Sequence, residues 1–441
     1  MVRSSETRFR RDINYVQDPS FVNYCRNANS NHFTRNRKMP LNDLLLSMFN
    51  RKGLTLVMEL RKFFRTIKKD IRISKVGYLK QRMKLNPKAF LKLSDFHTRN
   101  FYKDAGYLKR EKGYLLLSAD GTALNIPTTE ETLKVYGTCS SKLVKPQASI
   151  GLSCFYDVMN KMIIDCTINR CKFNEKKQAE VHLKKSPDII GEEKFILLLD
   201  RGYSSIEFFV NRLENDQKFI VRLKSSDFKK EQKSMVSNDD DLEIVFDKTR
   251  LAAHNGTPLK EKLEKIHAIT LRFVNVKLSS GVNECLATNL SREAFSEEEI
   301  SILYSMRWKI ETAFDILKNK LELENFTGIK PIILEQDIYS SVYLCNLIQD
   351  IILDAEEEQN IEIEGKYKHQ MSINRSLAIG ILKDDLIQFV LTKSSAKKTY
   401  LFEKILEEIE KHLVPIRPGR HFRRTKGQLA GNFSNTHKRS Y

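Results

Sequence analysis

Residues 115–122 read Leu-Leu-Leu-Ser-Ala-Asp-Gly-Thr, and residues 195–203 read Phe-Ile-Leu-Leu-Leu-Asp-Arg-Gly-Tyr. Each is a short apolar run that stops on an aspartate and is followed by a glycine-containing turn, the pattern of a buried strand ending at a loop. Working outward, 114–126, 148–156 and 161–169 read as three successive strands, with 157–160 the clearest of the connecting turns. A polar helix follows at 176–185, then a strand at 194–200. Ser204 or Ser205 can cap a helix over 206–214, and 218–223 is a fifth strand. The order is β-β-β-α-β-α-β.

That order predicts an α/β protein with a ribonuclease H-like catalytic core over 113–223, in which an antiparallel meander continues into a parallel portion. The first and fourth strands then lie side by side, so Asp120 and Asp200 project from adjacent strand ends. Residues 224–292 interrupt the core. Their acidic run, Asp239 to Asp241, the alternating stretches 242–246 and 266–276, and a closing strand at 283–288 read as a β-rich insertion. The core resumes at 293–330. A helical region follows over 331–413, made of helices at 330–354 and 372–413 joined by a charged stretch at 356–369. A basic, disordered tail closes the chain at 414–441.

Before the core, 1–112 reads as a basic helical DNA-binding domain. Leu44, Leu45, Met48 and Phe49 share one face, and a second amphipathic run covers 54–67 after the Lys52-Gly53 break. Ser74 can cap a third helix whose outer positions are Lys75, Lys80, Arg82 and Lys84. The net charge of +19 is uneven: 1–112 carries 27 Lys and Arg against 9 Asp and Glu, 411–441 carries 8 against none, and 113–410 carries 40 against 47. Basic ends flanking an acidic middle point to contact with a polyanion, whose binding is driven by counterion release.

Several classes are excluded. No apolar run approaches the roughly 20 residues of a membrane helix. The first 11 residues hold four arginines and no apolar stretch of a secretory signal. The seven cysteines include no C-x-x-C pair, which argues for reduced, buried thiols rather than a disulfide framework or zinc site. The nine histidines show no metal-ligand spacing, and no glycine-rich nucleotide loop is present, so no nucleotide cofactor is expected.

The third acid comes from 295–321, read as one long helix opened by Ser296 with Glu299 three residues on, a capping box. Tyr304, Arg307, Glu311 and Lys318 fall within about 60° of one another at 3.6 residues per turn. This polar stripe flanks an apolar face of Leu303, Met306, Ile310, Ala313, Phe314 and Leu317. Asp120, Asp200 and Glu311 together make a carboxylate triad suited to two hard divalent cations about 4 Å apart. Tyr304, Arg307 and Lys318 are the auxiliary groups for phosphate and DNA.

The spacing Tyr304-x2-Arg307-x3-Glu311-x6-Lys318 resembles the Y-R-E-K signature of bacterial insertion-sequence transposases of the DDE superfamily, the family numbered four. The Asp120-Gly121 and Asp200-Arg201-Gly202-Tyr203 contexts are similar to that family's first and second catalytic aspartates, and a β-rich insertion sits where its members carry one. The resemblance implies binding of double-stranded DNA, both the element's terminal inverted repeats and the target. It also implies metal-dependent cleavage with two Mg2+ ions (Mn2+ as a substitute), a hairpin intermediate and strand transfer. A homodimer in the synaptic complex, no membrane, and a cytoplasmic, nucleoid-associated location complete the expectation. Relatives that hold a flipped base use an aromatic residue of the insertion. Phe246 and Phe273 are the candidates here, while Trp308, the single tryptophan, lies on the Glu311 helix. The same triad would serve a ribonuclease H-like nuclease without strand transfer, and a non-cutting DNA-binding protein of transposon ancestry is the other alternative.

Overall fold

The computed structural model describes residues 3–35, 37–104, 106, 108–139, 146–277, 283–363 and 370–416. Its centre is one eight-stranded mixed sheet: β1 (Leu115–Asn125), β2 (Ser149–Asp157), β3 (Met162–Arg170), β4 (Phe195–Leu199), β5 (Lys218–Arg222), β6 (Asp239–Val245), β7 (Ala268–Lys277) and β8 (Asn283–Thr288). The spatial order is β3-β2-β1-β4-β5-β8-β7-β6. β1, β2 and β3 form the antiparallel meander read from the sequence, and β4 and β5 run parallel to β1.

Alternation along the strands builds two cores. Leu115, Leu117 and Ala119 of β1 face a layer with Leu197, Leu199, Leu183 and Phe209, covered by helices Glu175–Ile190 and Ile206–Glu214. Leu116 and Leu124 face the opposite layer with Ile196, Leu198, Ile310, Phe314 and Leu317. There the 33-residue helix Pro331–Ile363 is the spine.

The 224–292 segment is not a separate β body. β8 pairs antiparallel with β5, Val221 opposite Ala287, and β7 and β6 extend the same sheet. The physical reason is the outer edge of β5, a row of unpaired backbone groups that a returning strand can cover.

The N-terminal segment also differs from its reading. Two further helices, Ser4–Gln17 and Pro19–Tyr24, precede Leu41–Phe49, Leu56–Thr66, Lys75–Arg82 and Lys88–Asp104. Part of the basic charge is spent internally. Arg8 is fully buried with its guanidinium 2.5 Å from Asp350. Arg82, expected on the outside of its helix, is likewise buried, donating to Asp337 and Gln336 at 2.8 Å each. Asp337 lies 255 residues away on the long helix. Burial raises its carboxyl pKa, but Arg51 and Arg82 more than offset this and hold it below the usual range. Arg61, Lys62, Arg65, Arg72, Lys75 and Lys80 remain exposed.

The 295–321 helix is broken rather than continuous: helix Glu297–Ser305, a 3-10 turn Met306–Trp308, helix Lys309–Asp315 and a π turn Ile316–Lys320. The predicted capping box at Ser296 and Glu299 is present. Downstream, Pro331–Ile363 continues into the stretch read as a charged linker, whose residues 364–369 lie outside the described residues. Helices Arg375–Leu391 and Ser395–Glu410 follow, and Leu413–Pro415 pairs with Met371–Ile373. The basic tail from 417 onward also lies outside the described residues. Among the described residues no helix is long and apolar enough to cross a membrane. Cys139 and Cys171 form a disulfide that the expectation of reduced thiols did not include, while Cys25, Cys154, Cys166, Cys285 and Cys345 are free, all but Cys285 buried. The turn after helix Glu130–Tyr136 meets the end of β3, where Cys171 N–H donates to the Tyr136 carbonyl, an adjacency that spacing does not reveal.

Candidate active site

β1 and the end of β4 place the two aspartates. Asp120 does not close its strand as the sequence suggested, because pairing with β2 carries β1 on through it, Asp120 opposite Cys154, to Asn125, whereas Asp200 follows the last residue of β4. The pairing of β1 with β4 runs Leu115 with Phe195 through Leu117 with Leu197. Asp120 and Asp200 are each three residues beyond that last pair, so strands advancing about 3.3 Å per residue carry them out abreast. Both have the parity of Leu116, Ile196 and Leu198, the face on which the Glu311 helix packs.

The carboxyl of Asp120 is raised to about 6. Burial is the main cause, opposed by the Gly121 N–H and by Arg307, while Glu175 and Glu311 push it further up. The Gly121 N–H donates to Asp120 Oδ1 at 2.8 Å. Asp200 Oδ1 is buried and accepts no hydrogen bond, with the Arg222 guanidinium of β5 at 4.0 Å.

Glu311 sits on Lys309–Asp315, with Arg307 Nη2 3.8 Å from its Oε1. Arg307 is buried, its guanidinium carbon 4.8 Å from the Trp308 ring centroid, and its Nε has no acceptor. The Tyr304 hydroxyl is also buried without a partner, and its pKa is raised mainly by that burial. Arg307 and Tyr304 thus lie in the protein interior near Asp120 and Asp200 respectively, deeper than the flank of the apolar face on which the stripe was placed. Lys318 points elsewhere: its ammonium donates to Thr122 Oγ1 at 2.7 Å and to the Ala123 carbonyl at 2.8 Å, clamping β1 just past Asp120. Burial lowers its pKa.

Three participants were not anticipated. Glu175 opens the helix after β3, and its carboxylate acts on both aspartates. Tyr203 is buried beside Glu175, Asp120 and Asp200. Arg222 stands near Asp200. A glutamate at a helix start is ordinary dipole chemistry, so only the glycines after each aspartate hinted at something close by. Phe246 and Phe273, the insertion's candidates for a flipped base, are both in the core. Trp308 is 46% exposed on the Glu311 helix.

The donors suit a hard cation: they are carboxylate oxygens, Asp120 on β1 and Asp200 just past the end of β4, with Glu311 pushing the Asp120 carboxyl up and one buried Asp200 oxygen unsatisfied. Among the described residues no three His, Cys, Asp or Glu side chains are gathered as a metal cluster.

Comparison with known proteins adds a family. Residues 111–347 match the Transposase DDE domain. Over 108 residues the chain is 31% identical to the transposase for insertion sequence element IS421 of Escherichia coli, covering 24% of this chain and 26% of that protein. The same figures hold for InsL of insertion sequence element IS186A of Escherichia coli strain K12. The match therefore spans about a quarter of the length of these relatives. A piggyBac transposase synaptic complex with hairpin DNA aligns at a TM-score of 0.43 and 13% identity, over 89% of this chain and 81% of that one.

Proposed function

This chain belongs to the transposase DDE domain family, and from that premise we propose that it is the DNA transposase of an insertion sequence. It binds the terminal inverted repeats of its element and cuts and rejoins DNA at Asp120, Asp200 and Glu311. The observation that carries this reading is the register of β1 and β4, which brings Asp120 and Asp200 out abreast on the face where the Glu311 helix packs. The strands β3-β2-β1-β4-β5 are read as a ribonuclease H-like core, with β8-β7-β6 as an addition at its edge.

Two Mg2+ ions, or Mn2+ in their place, would be held by the three carboxylates and would supply an activated hydroxyl nucleophile and charge on the leaving oxygen. The rest is the work of the chain. Asp120, with a pKa of about 6, is ionised at neutral pH and above, so it is available as an oxygen donor. Arg307, buried beside Asp120 and Glu311, offsets part of the negative charge and leaves its Nε unpaired for an incoming acceptor. Lys318 holds β1 through Thr122 and Ala123, fixing the strand that carries Asp120. The exposed Arg61, Lys62, Arg65, Arg72, Lys75 and Lys80 offer a phosphate-backbone surface. Two copies of the chain would bring two element ends together.

The test is Asp120→Asn, Asp200→Asn and Glu311→Gln in the full chain, assayed for cleavage of element ends, joining to target DNA, and DNA affinity. Each variant is expected to lose cleavage and joining while retaining affinity. Full cleavage by any one of them removes that residue from the triad. Cleavage without joining by the wild-type chain would make it a nuclease.

A further inference from the structure

The strand ends carry one acidic group more than the triad needs. Glu175 is the first residue of Glu175–Ile190, a helix on the sheet face opposite the Glu311 helix. It reaches over the strand ends at two glycines. A Cβ on Gly121 would lie 3.0 Å from Glu175 Oε1, and one on Gly202 would lie 3.6 Å from Oε2. One carboxylate therefore spans the gap between the residue after Asp120 and the second residue after Asp200. Among the described residues no lysine, arginine or hydrogen-bond donor is set against it, and Asp200 is the charge that acts on it. Placing like charges together in a half-buried cleft without a counter-charge is unfavourable.

An independent observation marks the centre of this cluster. The Tyr203 hydroxyl is buried, with its ring 1% exposed, and has no hydrogen-bond partner. Its electrostatic neighbours are Glu175, Asp120 and Asp200, with Arg307 as the one cation among them. A buried hydroxyl ordinarily finds an acceptor, yet this one, within electrostatic reach of three carboxylates, bonds none. The carboxylates supply the hard oxygens that a cation or one of its waters takes, although among the described residues no three of them are gathered into a metal cluster in this structure.

We propose that Glu175 is a fourth metal-holding carboxylate, which closes the divalent-cation site from the side of the sheet opposite Glu311. The two glycines are the cradle that admits it. The inference rests on the metal-dependent reading above, and its consequence is a ligand set of Asp120, Glu175, Asp200 and Glu311 drawn from both faces of the sheet.

The test is binding of Mn2+ alone to the full chain, followed by electron paramagnetic resonance with and without a duplex oligonucleotide. Glu175→Gln keeps the size and removes the charge, and it is expected to weaken Mn2+ binding by at least about 10-fold, as Asp120→Asn does. Its metal-free urea midpoint should not fall below wild type, because a repulsion is removed. Unchanged Mn2+ affinity in Glu175→Gln, with loss in Asp120→Asn, overturns the inference and leaves the triad standing. A lowered metal-free midpoint with wild-type Mn2+ affinity assigns Glu175 to structure and also overturns it. A wild-type chain that takes up no Mn2+ in either condition overturns the metal-dependent reading and this inference together. Should Glu175→Gln fail to fold, Gly121→Ala keeps every charge but sets a methyl 2.7 Å from Phe173 Cζ and 3.0 Å from Glu175 Oε1. Displacement of the carboxylate should then weaken Mn2+ binding, and wild-type affinity in that variant would refute the proposal.

Discussion

Asp120→Asn should make the metal-free protein more stable at alkaline pH while destroying its activity. The carboxyl of Asp120 is raised from 3.8 to about 6, chiefly by burial. At about 1.4 kcal/mol per pH unit this amounts to roughly 3 kcal/mol by which the fold disfavours the ionised form. The sign follows from the raised value: the penalty is complete above about pH 6, shrinks as pH falls, and is gone below 3.8, where the carboxyl is protonated in both states. Asparagine escapes the penalty and can still accept the Gly121 N–H through its amide oxygen. The variant should therefore exceed wild type by up to about 3 kcal/mol at pH 8 and by nothing near pH 3.5. The assay is urea unfolding of both chains in a chelator across that range. Adding Mn2+ should narrow the gap at pH 8 by stabilising only the wild type. An asparagine variant no more stable than wild type at pH 8, or an advantage that persists undiminished into acid, would refute the account of a strained carboxylate held for function.

Arg82→Leu should cost about 3–5 kcal/mol in urea unfolding, because it leaves Asp337 buried with Arg51 as its remaining cation; an unchanged midpoint with reduced DNA affinity would return Arg82 to the surface role its helix suggested. Lys62→Ala and Arg65→Ala, both exposed on Leu56–Thr66, should each reduce the slope of log affinity against log salt by about 1. Slopes equal to wild type would move the DNA surface elsewhere. Lys318→Met keeps the apolar stem but loses the bonds to Thr122 and Ala123. Displacement of β1 on the ångström scale should lower the cleavage rate about 100-fold with little change in DNA affinity, and a wild-type rate would deny Lys318 its positioning role.

The elements that the sequence disclosed well are those with strong local signals. β1 and β4 declared themselves as apolar runs, although β1 runs on past Asp120-Gly121 to Asn125, and the Ser296 capping box lies where Ser and Glu three apart placed it. What stayed hidden depended on partners distant in the chain. Arg82 looks like any basic residue on a helix flank until Asp337, Gln336 and Thr327 arrive from the far end of the sequence. Phe246 and Phe273 could have been exposed aromatics, but β6 and β7 extend the central sheet beyond β8 and both rings are buried there. The Ser4–Gln17 helix carries no apolar stripe typical of a core helix, because its inward face includes Ser5, Glu6, Arg8 and Asp12. Polar pairs with the long helix, Arg8 with Asp350 and Ser5 with Asp354, take the place of hydrophobic contact there.

By itself, the sequence singled out the candidates for the chemistry: two aspartates after apolar runs, a glutamate on a helix with Tyr304, Arg307 and Lys318 at fixed offsets, and basic ends around an acidic middle. These follow from periodicity, caps and charge, all of which act within a few residues. Only the tertiary structure decided how the groups share the work. Strand register set Asp120 beside Asp200, a broken helix turned Arg307 inward and Lys318 onto β1, and the opposite face of the sheet delivered Glu175. Through-space electrostatics and burial fall off over ångströms in three dimensions, so they are set by which distant segments meet, and no local pattern along the chain encodes that meeting.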